Sequence, residues 1–206
     1  MDFVHPISAV IPGAQGRVLE VLAATTAELN LRTLARLSGV SVAQASRVLP
    51  GLVDLGLVER REVPPSSQFL LVRSHVAAGP ILALANARES VCVELGRLAK
   101  LLPIRPLSVI VFGSLARGEA DVESDVDMVV VRPRGVSDDD AWGVSVERWR
   151  VAVHRLTGNA VEILEVAADE MATRLASRSQ VWRDIRRDGR VVFGAQFDDL
   201  AGVRVA

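Results

Sequence analysis

Two short apolar runs separated by an acidic segment constrain this chain more than any other feature of its sequence. The first run covers residues 107–112, and the second covers residues 128–131, within a strand-like segment 126–132 that directly follows Asp125. Both are far shorter than the roughly 20 apolar residues that a membrane-spanning helix needs, and both have the composition of strands. We therefore predict a strand that carries Asp125 and Asp127 at positions i and i+2, on one face.

Composition and length exclude several classes of protein. The chain has 206 residues, 50% hydrophobic and 24% charged, with 24 basic against 25 acidic side chains. This balance indicates a folded, nearly neutral protein of one large or two small domains, and excludes disorder or a basic coat for polyanions. The one cysteine, Cys92, cannot form an internal disulfide, and the first residues do not resemble a signal peptide. We therefore expect a cytoplasmic protein without membrane association.

Apolar residues at helical spacing predict three helices near the start of the chain, over residues 13–24, 31–37 and 41–55. Ser41 is the expected N-cap of the third helix. Pro50 lies inside that helix, and its missing N–H group predicts a kink or a break there.

Two strand-like runs follow, over residues 58–63 and 69–73, and Pro64-Pro65-Ser66-Ser67 between them predicts a hairpin. Three helices and a hairpin make a winged helix-turn-helix, and residues 14–75 resemble transcription regulators of the MarR and ArsR kind. The resemblance implies DNA binding through the second helix of the pair and the wing, by Ser41, Gln44, Arg47, Arg60 and Arg61. Because residues 1–62 hold six acidic and six basic side chains, a protein-interaction or dimerisation module is the alternative.

One long linking helix is predicted over residues 79–102, because seam positions recur along it at spacings of three and four. These positions are Ile81, Leu84, Arg88, Val91, Leu95, Leu98 and Leu102. The seam either packs against a neighbouring domain or forms the contact of a homodimer. We therefore expect a winged helix-turn-helix domain over 1–75, a linking helix over 76–102 and a second domain over 103–206.

The second domain alternates strand-like and helical patterns. Strands are predicted over residues 107–112, 126–132, 160–166 and 190–193, and helices over residues 137–157, 169–176 and 180–188. The predicted fold class is thus α+β, with a small mixed sheet flanked by helices after the winged helix-turn-helix and the linking helix.

The acidic segment of this domain carries the strongest chemical signal. Gly113 and Ser114 follow the first strand, where a missing side chain and a hydroxyl let a phosphate approach the backbone closely. Asp125 and Asp127 repel each other on one face, and Mg²⁺ together with triphosphate oxygens would relieve that repulsion. In the alternative interpretation, Gly113 and Ser114 form a plain strand-to-loop turn. Asp125 and Asp127 then lie in a solvated turn that enters a strand.

A third acid, Glu162, interrupts the apolar residues of the strand 160–166. An acid at such a position needs a partner. Glu165 lies three residues further on and faces the other way by strand alternation. We expect Glu162 rather than Glu165 to join the two aspartates.

A family resemblance rests on two motifs of this segment, Gly113-Ser114-x-Ala116-Arg117-Gly118-Glu119-Ala120 and Ser124-Asp125-x-Asp127. They resemble the DNA polymerase beta-like nucleotidyltransferases, and over residues 105–195 the minimal nucleotidyltransferases, including those paired with HEPN-type ribonuclease toxins. The resemblance implies that the catalytic acids, which hold two Mg²⁺ ions, are Asp125, Asp127 and Glu162. It also implies that the phosphates of the NTP are bound by Gly113, Ser114 and Arg117.

The implied activity is Mg²⁺-dependent transfer of a nucleoside monophosphate from an NTP, with ATP expected, to a hydroxyl group, with release of pyrophosphate. The acceptor stays open among a protein side chain, a small molecule and an RNA end. The alternative function is that of a DNA-binding regulator or antitoxin. Its nucleotidyltransferase domain would then sense nucleotide or modify a partner toxin.

Overall fold

The chain consists of two units, with the main boundary between Ala87 and Arg88. The computed structural model describes residues 1–137 and 140–202. The N-terminal unit consists of Asp2 and Val4–Ala87, and the C-terminal unit consists of Met1, Phe3 and the residues from Arg88 onward. In the described residues, no helix combines the length and the apolar character needed to cross a membrane.

The N-terminal unit packs helices against a small antiparallel sheet with strand order β1-β3-β2. Its elements are α1 (Pro6–Val10), α2 (Ala14–Ala24), β1 (Leu29–Asn30), α3 (Leu31–Leu37), α4 (Val42–Asp54), β2 (Val58–Val63), β3 (Ser66–Leu71) and α5 (Ala78–Ala85). Leu19, Leu22, Leu34 and Leu49 lie in one buried core. The three predicted helices and the hairpin are present, which confirms the winged helix-turn-helix.

The hairpin is tighter than predicted. Val63 pairs with Ser66, so Pro64 and Pro65 alone form the turn and β3 begins three residues earlier than expected. Strand β1 was not predicted, because its two residues are too few to show alternation; it forms by pairing Leu29 with Phe69 of β3.

Helix α4 continues through Pro50 without a break. Its first turn is closed by a capping box, in which the Gln44 N–H donates to Ser41 Oγ (3.1 Å) and the Ser41 N–H donates to Gln44 Oε1 (2.9 Å). Pro50 provides no N–H for the helix, but Leu49 and Leu52 on either side of it are buried in the core. The predicted break is therefore wrong, because tertiary packing holds the backbone helical around the proline.

The predicted linking helix is wrong as a single helix, because it divides at Asn86 into α5 and α6 (Ala87–Lys100). The Asn86 side chain donates from Nδ2 to the carbonyl of Leu82 (2.8 Å), which ends α5 with a local side-chain bond. Of the seam positions, Ile81 is buried in the core of the N-terminal unit, whereas Val91 and Leu95 are buried after the division. The homodimer stays a prediction.

The C-terminal unit holds a mixed four-stranded sheet of order β6-β5-β4-β7, flanked by helices as predicted. Its further elements are β4 (Ser108–Val111), α7 (Gly113–Arg117), β5 (Val126–Arg132), α8 (Asp140–Thr157), β6 (Val161–Ala167), α9 (Met171–Ala176), α10 (Gln180–Asp188), β7 (Arg190–Gly194) and α11 (Phe197–Gly202). The predicted start of α8 at residue 137 involves residues 138 and 139, which lie outside the described residues.

Strand direction brings three strand ends to one edge of this sheet. Strands β5 and β6 are parallel, so both begin at the same edge, and β4 is antiparallel to β5, so it ends there. The side chains that follow β4 and those that open β5 and β6 are therefore neighbours. The predicted site residues come from these three places.

Strand β7, the outermost strand next to β4, contains a bulge where it meets α6. Val109 pairs with Phe193 and Ile110 pairs with Val191, which leaves Val192 without a partner in β4. The Val192 carbonyl lies so close to Gly96 of α6 that an added Cβ would be 2.2 Å from its oxygen. Only glycine fits at position 96 without a shift of the helix or the strand.

We expect the substitution Gly96→Ala to lower the free energy of unfolding by about 1–3 kcal/mol, because the new methyl group must push α6 away from β7. Gly143→Ala is the matched control, since Gly143 is an exposed helical glycine with open space around its Cβ position. The control is expected to gain about 0.5–1 kcal/mol from helix propensity. Urea unfolding followed by circular dichroism measures both. Equal effects of the two substitutions would contradict the close packing at Gly96.

Candidate functional site

The candidate site lies where β4 ends and where β5 and β6 begin. Asp127 and Glu162, the second residues of the two parallel strands, pair in register. The N–H group of Phe112, directly after β4, donates to the carbonyl of Asp127 (3.0 Å). Asp125 directly precedes β5, so its predicted place on the strand is wrong by one residue, because pairing with β6 begins at Val126.

Gly113 allows the loop after β4 to pack against the carboxylate of Asp127. An added Cβ at Gly113 would be 2.2 Å from Asp127 Oδ2, and the residue has φ of +67°, a value that side chains disfavour. From the sequence, this glycine was expected to allow the approach of a phosphate. In the structure, the close approach is to Asp127, and Gly113 opens helix α7 rather than a loop.

Negative charge is concentrated around Asp127, which is half-buried. Burial raises the pKa of Asp127 above its ordinary value of 3.8, the charges of Asp125 and Glu162 raise this pKa further, and Arg117 acts in the opposite direction. Within the residues that the structure describes, none of the three carboxylates forms a hydrogen bond or an ion pair. Such a cluster destabilises the fold unless a cation joins it.

The two acids of β6 have different surroundings. Glu165 lies 3.5 Å from Arg132 Nη1 in an ion pair. Glu162 instead acts electrostatically on Asp127, its register partner on β5. The structure thus places Glu162 beside Asp127 and gives Glu165 an arginine partner.

The carboxylates suit a cation that takes some of its ligands from a substrate. Among the described residues, no group of three His, Cys, Asp or Glu side chains is arranged to hold a metal ion by itself. Mg²⁺ ordinarily binds through one or two carboxylates together with waters and phosphate oxygens. Asp125 and Asp127, which have no hydrogen-bond or ion-pair partner among residues 1–137 and 140–202, fit a magnesium ion that arrives with a nucleotide.

Helix α7 places Gly113, Ser114 and Arg117 beside the carboxylates. Gly113 and Ser114 are its first residues, so their N–H groups have no acceptor within the helix. Arg117, its last residue, donates from Nε to Glu119 (2.7 Å), and this bond raises the pKa of Arg117. The negative charge of Asp188, on α10, also raises this pKa. The sequence analysis missed Asp188, because only the packing of α10 brings it near α7.

On the helix-turn-helix, the predicted DNA-contacting residues of α4 have unequal freedom. Ser41 and Gln44 bind each other in the capping box. Arg47 lies one turn further along α4, is exposed, and makes no hydrogen bond or ion pair with a described residue. Arg47 is therefore the predicted contact on α4 whose charge is fully available.

The two predicted wing arginines are paired with acids. Arg60 lies 2.7 Å from Glu62, and Arg61 lies 2.7 Å from Glu59 and also contacts Glu28. The hydrogen bond to Glu59 raises the pKa of Arg61. The wing thus neutralises its own positive charge.

Two arginines of α3 were missed by the sequence analysis. Arg32 and Arg36 are exposed, and neither is paired with an acid in the described part of the chain. Their signal was present as two unpaired basic residues four apart on a helix before the turn. In the structure, glutamates pair with Arg60 and Arg61, which makes Arg32 and Arg36 better candidates for contacts with DNA phosphates. The sequence alone does not reveal this pairing.

Two family models match the chain. Residues 95–181 match the nucleotidyltransferase domain, and residues 16–62 match the IclR helix-turn-helix domain. The second match corrects the expected MarR or ArsR type to the IclR type, within the same winged helix-turn-helix class. No curated protein matches the chain.

Solved structures give weaker likenesses. A toxin–antitoxin structure with AMP-PNP is 21% identical to this chain. A mutant of the toxin–antitoxin pair MntA–HpeT is 18% identical. Each match covers 55% of this chain and 80% of the other chain, with a TM-score of 0.36. TrmBL2, an archaeal chromatin protein, is 14% identical, with 84% of this chain and 74% of the other covered and a TM-score of 0.31. At these TM-scores we draw nothing from the likenesses. By the family models, residues 95–181 are similar to a nucleotidyltransferase domain and residues 16–62 are similar to an IclR-type helix-turn-helix domain.

We expect Asp127→Asn to stabilise the metal-free protein at neutral pH. Because the folded pKa of Asp127 is raised, the unfolded chain loses this proton first as pH rises above about 3.8, and stability falls until the folded carboxyl has also ionised. Asparagine at position 127 cannot ionise, so the variant does not lose this stability as pH rises. The gain in Tm, measured in EDTA, should be present at pH 7 and disappear as pH falls towards 3.8.

Asp169→Asn is the control, because Asp169 is exposed and has no ion pair among the described residues. It should leave the Tm unchanged across the same pH range. A lower Tm for Asp127→Asn at pH 7 would contradict the repulsion described here.

Proposed function

We propose that the C-terminal unit is a Mg²⁺-dependent nucleotidyltransferase that moves a nucleoside monophosphate from an NTP, with ATP expected, to a hydroxyl group. The observation that carries this proposal is a set of three carboxylates, Asp125, Asp127 and Glu162, that form no hydrogen bond or ion pair with a described residue. They lie at one sheet edge, within a segment that matches the nucleotidyltransferase domain.

In this proposal, Asp125 and Asp127 hold the metal, and two bound ions are expected. Mg²⁺ would neutralise phosphate charge and help the pyrophosphate to leave. The backbone N–H groups of Gly113 and Ser114 bind the phosphate tail, and Arg117 exchanges its contact with Glu119 for one with phosphate. These residues align the α-phosphorus with the acceptor hydroxyl.

Glu162 is proposed as the base. The acceptor oxygen forms a bond to the α-phosphorus, the bond from that phosphorus to the bridging oxygen breaks, and pyrophosphate leaves with the electron pair. The proton of the acceptor hydroxyl passes to the carboxylate of Glu162, which no described residue engages. Three classes of acceptor are proposed: a protein side chain, including one on a partner toxin, a small molecule, and an RNA end. Labelled nucleotide and a lysate separated into these three classes would distinguish them.

Calorimetric titration of ATP in the presence of Mg²⁺ tests this proposal. The wild type should bind ATP only with Mg²⁺, and Asp125→Asn with Asp127→Asn should abolish this binding, because both carboxylates that hold the ion are gone. Glu162→Gln should weaken binding about 10-fold, in the range typical for groups around a metal site. Glu165→Gln is the matched control on the same strand and should bind like the wild type, since Glu165 is paired with Arg132.

Two outcomes would overturn parts of the proposal. No binding of any NTP by the wild type would exclude the nucleotidyltransferase activity. Weakening by Glu165→Gln instead of Glu162→Gln would make Glu165 the third acid.

We also propose that the N-terminal unit binds DNA. The match of residues 16–62 to a helix-turn-helix family supports this, as do the exposed arginines of α3 and α4, which have no acidic partner in the described part of the chain. Since the wing arginines are already paired, phosphate contacts are expected from Arg32, Arg36 and Arg47 rather than from the wing.

We expect Arg47→Ala to weaken binding to a mixed-sequence DNA duplex and to reduce the slope of log K against log salt by about 1, the loss of one phosphate contact. Arg61→Ala, which removes an arginine paired with Glu59, should leave that slope nearly unchanged. Fluorescence anisotropy at several salt concentrations measures both slopes. If the wild type binds no duplex, the protein-interaction module becomes the better proposal.

A further inference from the structure

A buried asparagine connects the start of β6 to the loop in front of Asp125. Asn159 has 2% of its surface exposed and lies in the turn between α8 and β6. Its Oδ1 accepts from the ammonium group of Met1 (2.7 Å), so its Nδ2 faces the other way and donates to the carbonyls of Asp121 (3.0 Å) and Ser124 (2.9 Å). Both Nδ2 hydrogens are therefore used on one loop.

That loop is itself tightly folded. Asp121 Oδ1 accepts from the hydroxyl of Ser124 (2.8 Å) and from the N–H of Glu123 (3.0 Å), and the N–H of Asp121 donates to Ser124 Oγ (3.0 Å). The loop forms a polar turn closed by its own side chains. The bonds from Asn159 attach both ends of this turn to β6.

The peptide groups on both sides of Asp125 are held by two consecutive residues. The carbonyl before Asp125, that of Ser124, accepts from Asn159 (2.9 Å), and the N–H after it, that of Val126, donates to the carbonyl of Ala160 (2.8 Å). The Asp125 carboxylate has no partner among the described residues. These two bonds therefore hold the backbone that carries the carboxylate.

We infer that Asn159 is a positioning residue, which holds the carboxylate of Asp125 at the distance from Asp127 and Glu162 that metal binding requires. Glu162, the second residue of β6, follows Asn159 by three residues along the chain, so one short segment carries the third acid and places the first. A metal site requires its ligands to be held within about 0.5 Å, and a loop reaches that precision only through supporting hydrogen bonds. This inference rests on the proposed nucleotidyltransferase function.

Asn159→Asp is the sharpest test, because the shape is kept while the donor that faces two carbonyls becomes an acceptor. Asn159→Ala is the second variant, which removes the side chain without adding a charge. Ser108→Ala is the matched control, since Ser108 is fully buried and its hydroxyl donates to the carbonyl of Ala195 (2.9 Å). Ser108 lies at the other end of β4, opposite Val131 rather than beside Asp127.

The first measurement is amide hydrogen exchange of the folded protein without nucleotide, over peptides that cover residues 121–127. Both Asn159 variants should exchange at least about 10-fold faster there, as expected when the bonds that close a local segment are lost, while β4 and β5 stay protected. Ser108→Ala should leave the exchange of residues 121–127 unchanged. Unchanged exchange in both Asn159 variants would overturn the inference.

The second measurement is ATP binding as a function of Mg²⁺ concentration. Asn159→Asp and Asn159→Ala should require about 10-fold more Mg²⁺ for half-maximal binding, with binding recovered at high Mg²⁺, whereas Ser108→Ala should not. Wild-type Mg²⁺ dependence in either folded Asn159 variant would overturn the positioning role while leaving the proposed function intact. If the wild type itself binds no NTP, the proposed function fails, and the inference fails with it.

Discussion

The parallel pairing of β5 with β6 is the interaction on which the C-terminal unit depends. Its register sets Asp127 beside Glu162 and begins directly after Asp125, so the backbone ladder itself assembles three like charges. Burial and these neighbours raise the pKa of Asp127. Residues 128–131 of β5 are buried in succession, and therefore on both faces of the sheet. Burial holds β5 between β4 and β6, and its backbone pairing with these two strands sets the register.

The surroundings of the carboxylates are specialised for placing them rather than for neutralising them. Gly113 provides the space that Asp127 occupies, and Asn159 anchors the loop before Asp125. Glu165 and Glu119 have arginine partners, whereas the three site acids have none among the described residues. This division of charge is typical of sites where a cation is supplied with the substrate.

The N-terminal unit shows the opposite arrangement of charge on its wing. There, Arg60 and Arg61 form ion pairs with glutamates, whereas the exposed arginines of α3 and α4 have no acidic partner within the described ranges. Counting residues gave zero net charge for this region, but the count treats paired and unpaired arginines alike. Because the arginines of the hairpin are neutralised by glutamates, the positive charge that remains available lies on α3 and α4. The helices are the elements with which a helix-turn-helix contacts DNA.

Local patterns in the sequence were enough for the winged helix-turn-helix, the mixed sheet and the motif residues around Gly113 and Asp127, because helical spacing, strand runs and short motifs are set by neighbouring residues. The unbroken course of α4 through Pro50 and the division at Asn86 were decided by packing and by a side-chain bond. The role of Asn159, the separation of Glu162 from Glu165 and the pairing on the wing depend on residues distant in sequence. Sequence thus determined which chemical groups are present, and only the tertiary structure decided which of them meet, because strand register and loop anchoring join segments that no local pattern connects.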